Sequence, residues 1–447
     1  MGRLFGTDGV RGVANAQLTP ELAFKLGWAA TTYFGREYHT SPVMLIGRDT
    51  RISGQMLEAA LAAGICSAGG QAVLLGVVPT PAVAYLAGQI NAQAGVVISA
   101  SHNPYPDNGI KFFAGTGYKL SDAVEDELEE LVLNYKEDME RPVGDGIGTI
   151  LYRHDLLKTY TDYLISTVDV DFKGLKMVVD CAHGAAYEVG PIVYQHLGAE
   201  VITINDQPTG VNINANCGST HMEELQKAVV RHQAHFGIAH DGDADRCLAV
   251  DEKGVIIDGD QMMVICALDR LKANKLKDNT LVATVMSNIG LYQAIKKAGG
   301  KVEVTAVGDR YVLEAMLEKS LMLGGEQSGH VIFAEHSTTG DGVLTALQLI
   351  AALKKSGKSM SELAGIMTRY PQLLVNVTVA SKDGWEENEA IIHAIKKGNT
   401  ELGEEGRILV RPSGTEQLIR VMAEGPCMTE LERIVHDIAA VVKKEQG

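Results

Sequence analysis

Short apolar, β-branched runs alternate along this chain with stretches of helical periodicity, and glycine-rich turns separate them. Val43–Ile46 reads as a strand ending in Gly47-Arg48-Asp49, Ser53 opens a helix through Ile65, and Val73–Val78 reads as another strand. Before them, Thr19-Pro20-Glu21 starts a helix with Leu22, Leu26 and Ala29–Ala30 on one face. Val96, Val97 and Ile98 have the pattern of a buried strand. That strand runs into Ser99, Ala100 and Ser101, breaks at His102-Asn103-Pro104, and resumes as strand at Ile110–Phe113. Ser121–Lys136 follows as an acidic amphipathic helix. Such alternation predicts an α/β fold with a parallel or mixed sheet and helices on both faces.

The same strand–turn–helix opening recurs at Met177 and Leu281, which predicts three tandem α/β domains of similar plan. Gly144–Gly148 reads as a linker and Tyr152–Val168 as a bridging helix. After Arg369-Tyr370-Pro371 the pattern changes. Strands at Leu373–Val379, Ile408–Arg411 and Leu418–Met422, with helices at Glu386–Lys396 and Thr429–Lys444, predict a smaller C-terminal α+β domain. Its sheet should be antiparallel and covered by two helices. The expected domains are residues 1–150, 151–255, 256–368 and 369–447.

Composition narrows the function. A chain of 447 residues is too long for one core, and 48 glycines point to many tight loops. No apolar stretch reaches the span of a bilayer, and the N-terminal residues carry no apolar signal core, so a cytoplasmic, non-membrane protein is expected. The six cysteines are scattered without paired spacing, as for buried thiols in a reducing compartment. A net charge of −16 argues against nucleic acid as a partner. An anionic substrate would therefore need a local cluster of Arg and Lys.

Four stretches can carry chemistry. The first is the serine turn, with Ser101 presented at a strand end, where α/β proteins place their sites; an ordinary serine-rich turn is the alternative. The second is Asp241-Gly242-Asp243-Ala244-Asp245-Arg246. Its three carboxylates alternate and can converge on one hard cation, with Mg²⁺ favoured; a solvated acidic turn is the alternative. Asp241, Asp243, Asp245 and Glu252 mimic an EF-hand register, but Arg246 replaces the required glycine and the flanks look like strands. The third, Gly324–His330, brackets Glu326, Gln327 and Ser328 with glycines, a polar set suited to sugar hydroxyls or simply to a capping turn. The fourth is Arg411-Pro412-Ser413-Gly414-Thr415-Glu416 with Arg420, which offers hydroxyls, backbone N–H groups and two guanidinium forks to a phosphate; a β-turn with scattered charges is the alternative. Lys111 is a candidate for meeting a phosphoryl group or for acid/base work and His330 for proton transfer, with a surface lysine and a satisfied loop histidine as the alternatives; Arg246 and Arg310 are further candidate phosphate contacts.

Ser99-Ala100-Ser101-His102-Asn103-Pro104 followed by Asp107-Asn108-Gly109-Ile110-Lys111 resembles the active-site serine loop of the α-D-phosphohexomutases, and the resemblance extends over essentially the whole chain. It implies three α/β domains and a smaller fourth around a central cleft. It also implies a phosphorylated Ser101, which itself touches the metal, and one Mg²⁺ held by Asp241, Asp243 and Asp245. Glu326 and Ser328 would read the sugar, and Gln327 matches the branch that handles glucosamine phosphates. Residues 411–415 and Arg420 would hold the distal phosphate. The implied reaction interconverts glucosamine 6-phosphate and glucosamine 1-phosphate through a glucosamine 1,6-bisphosphate, feeding amino-sugar nucleotide and cell-wall precursor synthesis. Bacterial members are commonly dimers, so a homodimer is compatible with the resemblance, although no sequence feature marks an interface.

Overall fold

The computed structural model describes residues 4–6, 8–138, 140–413 and 416–447. The chain forms two compact units, one of residues 1–284 and 303–364, the other of residues 285–302 and 365–447.

In the first unit, one three-stranded arrangement is built three times. Val43–Arg48 pairs parallel with Ala94–Ile98, which pairs antiparallel with Asp107–Ala114. Lys176–Asp180 pairs parallel with Phe236–His240, which pairs antiparallel with Cys247–Asp251. Thr280–Thr284 pairs parallel with Leu323–Gly325, which pairs antiparallel with Val331–Phe333. The first copy grows into a six-stranded sheet by adding Val10–Val13, Gln71–Val77 and Ile150–Tyr152. Its apolar residues alternate as the pattern predicts. Met44, Ile46, Val96 and Ile98 join one core with Leu26, Phe34, Leu57 and Leu61 from helices Pro20–Tyr38 and Gly54–Ser67. Helix Pro20–Tyr38 begins as expected, with Thr19 Oγ1 accepting Leu22 N–H and Pro20 in the first turn.

Two expectations shift. The bridging helix spans Leu156–Ser166 and not Tyr152–Val168, because Ile150–Tyr152 pairs parallel with Ala72–Leu74 as the edge strand of the first sheet. The second strand of the serine hairpin starts at Asp107, three residues early, since Val10–Val13 pairs with Asp107–Ile110 on its far side.

The second unit has a three-stranded antiparallel sheet in the order Gln372–Thr378, Leu418–Glu424, Arg407–Pro412. Helices Glu389–Leu402 and Met428–Gln446 cover it, burying Ile391, Ile419, Val421, Ile434 and Val435 in one core. Helix Ile289–Lys297, whose sequence continues the third strand–turn–helix unit, belongs here. The buried Glu424 carboxylate accepts Ile289 N–H at 2.9 Å, and Asn288 bonds the backbone of Tyr370 through both side-chain atoms. Among the described residues, no helix is long and apolar enough to cross a membrane.

Candidate active site

Each of the three equivalent hairpins in the first unit turns through one of the polar stretches: the serine turn, the aspartate turn and the Glu326–His330 turn. Each turn therefore lies at the C-terminal end of a parallel strand, where an open sheet leaves backbone groups and side chains available to a ligand.

Ser101 is buried and sits in the left-handed region at φ 50°. That conformation is unusual for a residue with a Cβ, and several groups hold it in place. Arg51, itself buried, donates through Nη2 to the carbonyls of Ser101 (2.8 Å) and Asn103 (2.9 Å) and through Nη1 to that of Pro104 (2.7 Å). Asn214 Nδ2 donates to the Ser101 carbonyl at 2.9 Å. Asp49 anchors Arg51 Nε at 2.9 Å and accepts Ser99 Oγ–H at 2.6 Å. Ser99 Oγ in turn accepts Ser101 N–H. Ser99 is thereby committed to shaping the turn, and Ser101 Oγ alone of the two reaches the aspartate turn, donating to Asp241 Oδ2 at 2.6 Å.

Asp241, Asp243 and Asp245 are buried and present carboxylate oxygens within 4.8 Å of one another. Gly242 makes this approach feasible, since a Cβ there would lie 2.5 Å from the Ser101 carbonyl oxygen. Thr80 Oγ1 (2.7 Å) and Lys111 Nζ (3.2 Å) both donate to Asp243 Oδ2. Asp243 Oδ1 and Asp245 Oδ1 are buried and accept no hydrogen bond among the described residues. Burial, then Asp245 and Asp243, push the Asp241 carboxyl well above the usual range. Three clustered carboxylates with two orphaned oxygens fit a hard divalent cation, which would relieve both the repulsion and the missing partners.

Cationic groups border the cluster. Lys111 is buried between Asp243 and Asp8 (3.1 Å), and these carboxylates outweigh its desolvation and hold it charged. His330 places Nδ1 3.5 Å from Asp245 Oδ2. Burial lowers the His330 pKa, and Asp245 and Asp309 more than reverse that. Yet Gly340 N–H points at Nε2 from 3.1 Å and needs the lone pair there, so the hydrogen-bond geometry favours the neutral ring with its proton toward Asp245. Gly340 has to be glycine, because a Cβ would stand 2.4 Å from the imidazole. Burial also raises the Asp245 carboxyl, but His330, Lys111 and Arg246 together hold it below the ordinary range. The buried Arg246 Nε lies 3.7 Å from Asp245 without a hydrogen-bond acceptor among the described residues.

The third turn is tied to the second through Cys247 N–H, which donates to the Gly329 carbonyl at 3.1 Å. Glu326 Oε1 accepts Gly308 N–H, Gln327 Nε2 donates to Asp260, and Ser328 Oγ is buried without a partner among the described residues. Arg310 instead pairs with Asp122 and Glu314 at the surface.

The phosphate stretch lies in the second unit. Arg411 and Arg420 face each other directly on adjacent antiparallel strands, an unfavourable pairing of like charges without an anion between them. Burial, then Arg420, lower the pKa of Arg411. Both Nε atoms are buried without hydrogen-bond partners among the described residues, and Lys382 Nζ donates to the Ser413 carbonyl at 2.8 Å. Gly414 and Thr415 lie outside the described residues.

The sequence reading missed Asp49, Arg51, Thr80 and Asn214. Only the position of Asp49 and Arg51 just after a strand could have singled them out.

Comparison with known proteins agrees with this arrangement. Family descriptions of the phosphoglucomutase/phosphomannomutase alpha/beta/alpha domains I, II and III match residues 2–139, 158–254 and 258–370. The C-terminal domain of the same family matches residues 374–441. A Desulforamulus reducens protein named phosphoglucosamine mutase is 55% identical over 442 residues, 99% of each chain. Among solved structures, a phosphoglucomutase/phosphomannomutase family protein from Burkholderia thailandensis superimposes with a TM-score of 0.81 at 23% identity, covering 99% of this chain and 97% of its own. An Aspergillus fumigatus N-acetylphosphoglucosamine mutase, solved with GlcNAc-6P and magnesium, has a TM-score of 0.69 at 18% identity, covering 99% and 96%. With its four domain matches, and a relative this similar over nearly the full length, the chain belongs to the phosphoglucomutase/phosphomannomutase family.

Proposed function

We propose that this chain interconverts glucosamine 6-phosphate and glucosamine 1-phosphate, with Ser101 carrying the phosphoryl group and glucosamine 1,6-bisphosphate as the intermediate. The reading rests on the 2.6 Å contact that joins Ser101 Oγ to a cluster of three buried carboxylates, and the glucosamine substrate on the full-length relatives. Phosphoserine 101 would pass its group to a bound monophosphate, and the bisphosphate would turn over and return its other phosphate to Ser101.

Asp241, Asp243 and Asp245 would hold one Mg²⁺ beside the serine phosphate. When bound, the ion would supply charge neutralisation for the phosphoryl oxygens. Arg51 and Asn214 fix the turn so that Ser101 keeps its line of transfer. Lys111, held charged by Asp243 and Asp8, would stabilise the negative charge on the moving group. Arg246, whose Nε lacks an acceptor, would meet a substrate oxygen, and His330 would sit by the sugar with its tautomer set by Gly340. Glu326, Gln327 and Ser328 would read the sugar. Arg411, Ser413, Gly414, Thr415 and Arg420 would hold the phosphate that is not reacting; the facing arginines, whose Nε atoms have no partner among the described residues, support that role.

The reading includes a cytoplasmic enzyme, in keeping with six free cysteines. It admits a homodimer, for which exposed Ile150, Leu151 and Tyr152 on a sheet edge offer an apolar surface. Intact mass of the purified protein should show one phosphate on Ser101. Glucosamine 1-phosphate should turn over with a higher kcat/KM than glucose or mannose 1-phosphate. Phosphate mapped to Ser99, or a preference for glucose phosphates, would overturn the assignment.

A further inference from the structure

Around the candidate site runs a ring of charged and polar side chains that starts and ends on the aspartate turn. Lys111 Nζ bridges Asp243 (3.2 Å) and Asp8 Oδ2 (3.1 Å). Lys119 Nζ bridges Asp8 Oδ1 (3.0 Å) and Asp309 Oδ2 (2.7 Å). Asp309 Oδ2 lies 3.7 Å from His330 Nε2, and His330 Nδ1 lies 3.5 Å from Asp245 Oδ2. Lys119 touches neither the carboxylate cluster nor Ser101, yet it joins the arm that carries Lys111 to the arm that carries His330.

We infer that Lys119 is a positioning residue, which keeps Lys111 and His330 in register with the aspartate turn by holding Asp8 and Asp309 apart at fixed distances. The inference rests on the phosphoryl-transfer reading above. Without the ammonium, Asp8 and Asp309 would face each other with one cation fewer between them. Asp8 would settle on its other two partners, Arg11 and Lys111, and Asp309 would leave its place beside His330. Each shift moves a group that lines the reacting centre, where a displacement of about 1 Å can cost about a hundredfold in rate.

The local fold does not depend on this side chain. The turn that presents Lys119 is closed by Gly117 N–H on the Ala114 carbonyl and Ala114 N–H on the Tyr118 carbonyl, both at 2.8 Å. Thr338 Oγ1 donates to the Gly117 carbonyl from the third domain's side at 2.6 Å. On its open side Lys119 borders a cavity of about 430 Å³, walled also by Leu120, Leu313, Leu317 and Ile332. A small amine can therefore reach the place of Nζ once the side chain is shortened.

The experiment compares full-length wild type, Lys119→Ala, Lys119→Arg and the isosteric Asp309→Asn on glucosamine 1-phosphate, with melting curves for each. Lys119→Ala should lose about tenfold or more in kcat, with KM changed by less than about threefold. Its melting temperature should stay near that of the wild type. Lys119→Arg should recover most of the loss, and so should n-butylamine added to Lys119→Ala, saturably and without effect on wild type. Asp309→Asn should depress kcat in the same way, and combined with Lys119→Ala it should abolish the amine rescue. An inactive wild type would refute the proposed function itself. An active wild type with an equally active Lys119→Ala, or a loss that neither arginine nor amine restores, would refute the positioning role alone.

Discussion

Arg51 should be the most costly single side chain to remove from the serine turn. Arg51→Met removes the partner of the buried Asp49 and the donors to three carbonyls, at Ser101, Asn103 and Pro104. Breaking a buried ion pair from one side costs about 3–5 kcal/mol, because the remaining charge stays desolvated. Each charge-assisted hydrogen bond lost would add about 1.5–3 kcal/mol if nothing relaxed. Two effects limit the sum. Burial already raises the Asp49 carboxyl against the pull of Arg51 and Ser99, so it can take up a proton once the guanidinium is gone. The turn can also reopen to water. The lower end of the ion-pair range, about 3 kcal/mol, is therefore the expected cost in the first domain.

The chain has two tryptophans, and Trp28 packs in the same core as the strand leading to the turn, while Trp385 lies in the second unit. In a Trp385→Phe background, urea unfolding followed by Trp28 fluorescence reports the first domain. Its midpoint should fall sharply in Arg51→Met. Adding Asp49→Asn should restore part of the loss, since the stranded charge is gone and the two effects are coupled. An unchanged midpoint, or costs that simply add, would show that the turn is held by something other than this ion pair.

Other expectations are briefer to state. Asp341, which caps helix Gly342–Ser356 and accepts Tyr160 O–H, is raised by burial from 3.8 to about 6, so its charge opposes folding above that pH and not below about 4. Asp341→Asn keeps a capping oxygen and should raise the melting temperature at pH 8 but not at pH 4; an equal gain at both would contradict the linkage. Asp245→Asn, at a carboxylate with an orphaned oxygen, should weaken Mg²⁺ binding in calorimetry, and excess chelator should abolish turnover of the wild type; full activity in chelator would exclude the cation. Arg420→Ala should cost about one to two powers of ten in kcat/KM in both directions of the reaction, and leave hydrolysis of phosphoserine unchanged. A loss confined to one direction would place Arg420 at the reacting end.

What could be seen in the sequence divides by how far a residue's partner lies along the chain. The strands at Val43–Arg48 and Ala94–Ile98 were legible because apolar alternation is a local property. The convergence of Asp241, Asp243 and Asp245 was legible because alternate positions on one turn are neighbours in space. Arg51 was not, since it serves carbonyls about fifty positions away that any sequence would supply. Lys119 was hidden for the same reason, with partners 111 and 190 positions away. Helix Ile289–Lys297 shows a third case: periodicity gives its existence but not its company, which Glu424 and Tyr370 decide. Arg411 and Arg420 stood out as two cations near a glycine, but only strand register sets them face to face.

The repeated hairpin explains why the chemistry of the first unit is spread over three separate stretches. Each turn is closed by its own two strands, so its residues can change without altering the pairing beneath them. One turn carries a hydroxyl, the next three carboxylates, and the third an amide, a hydroxyl and an imidazole. Local closure alone would leave these groups apart. They meet because backbone touches backbone where the turns cross: Gly242 lies against the Ser101 carbonyl, and Gly329 lies where a Cβ would stand 2.1 Å from the Cys247 carbonyl oxygen. A side chain at either glycine would push its crossing open, and at Gly242 it would strain the 2.6 Å bond between Ser101 and Asp241. The identity of each turn therefore sets what it can offer, and the glycines at the crossings set whether the three turns can meet.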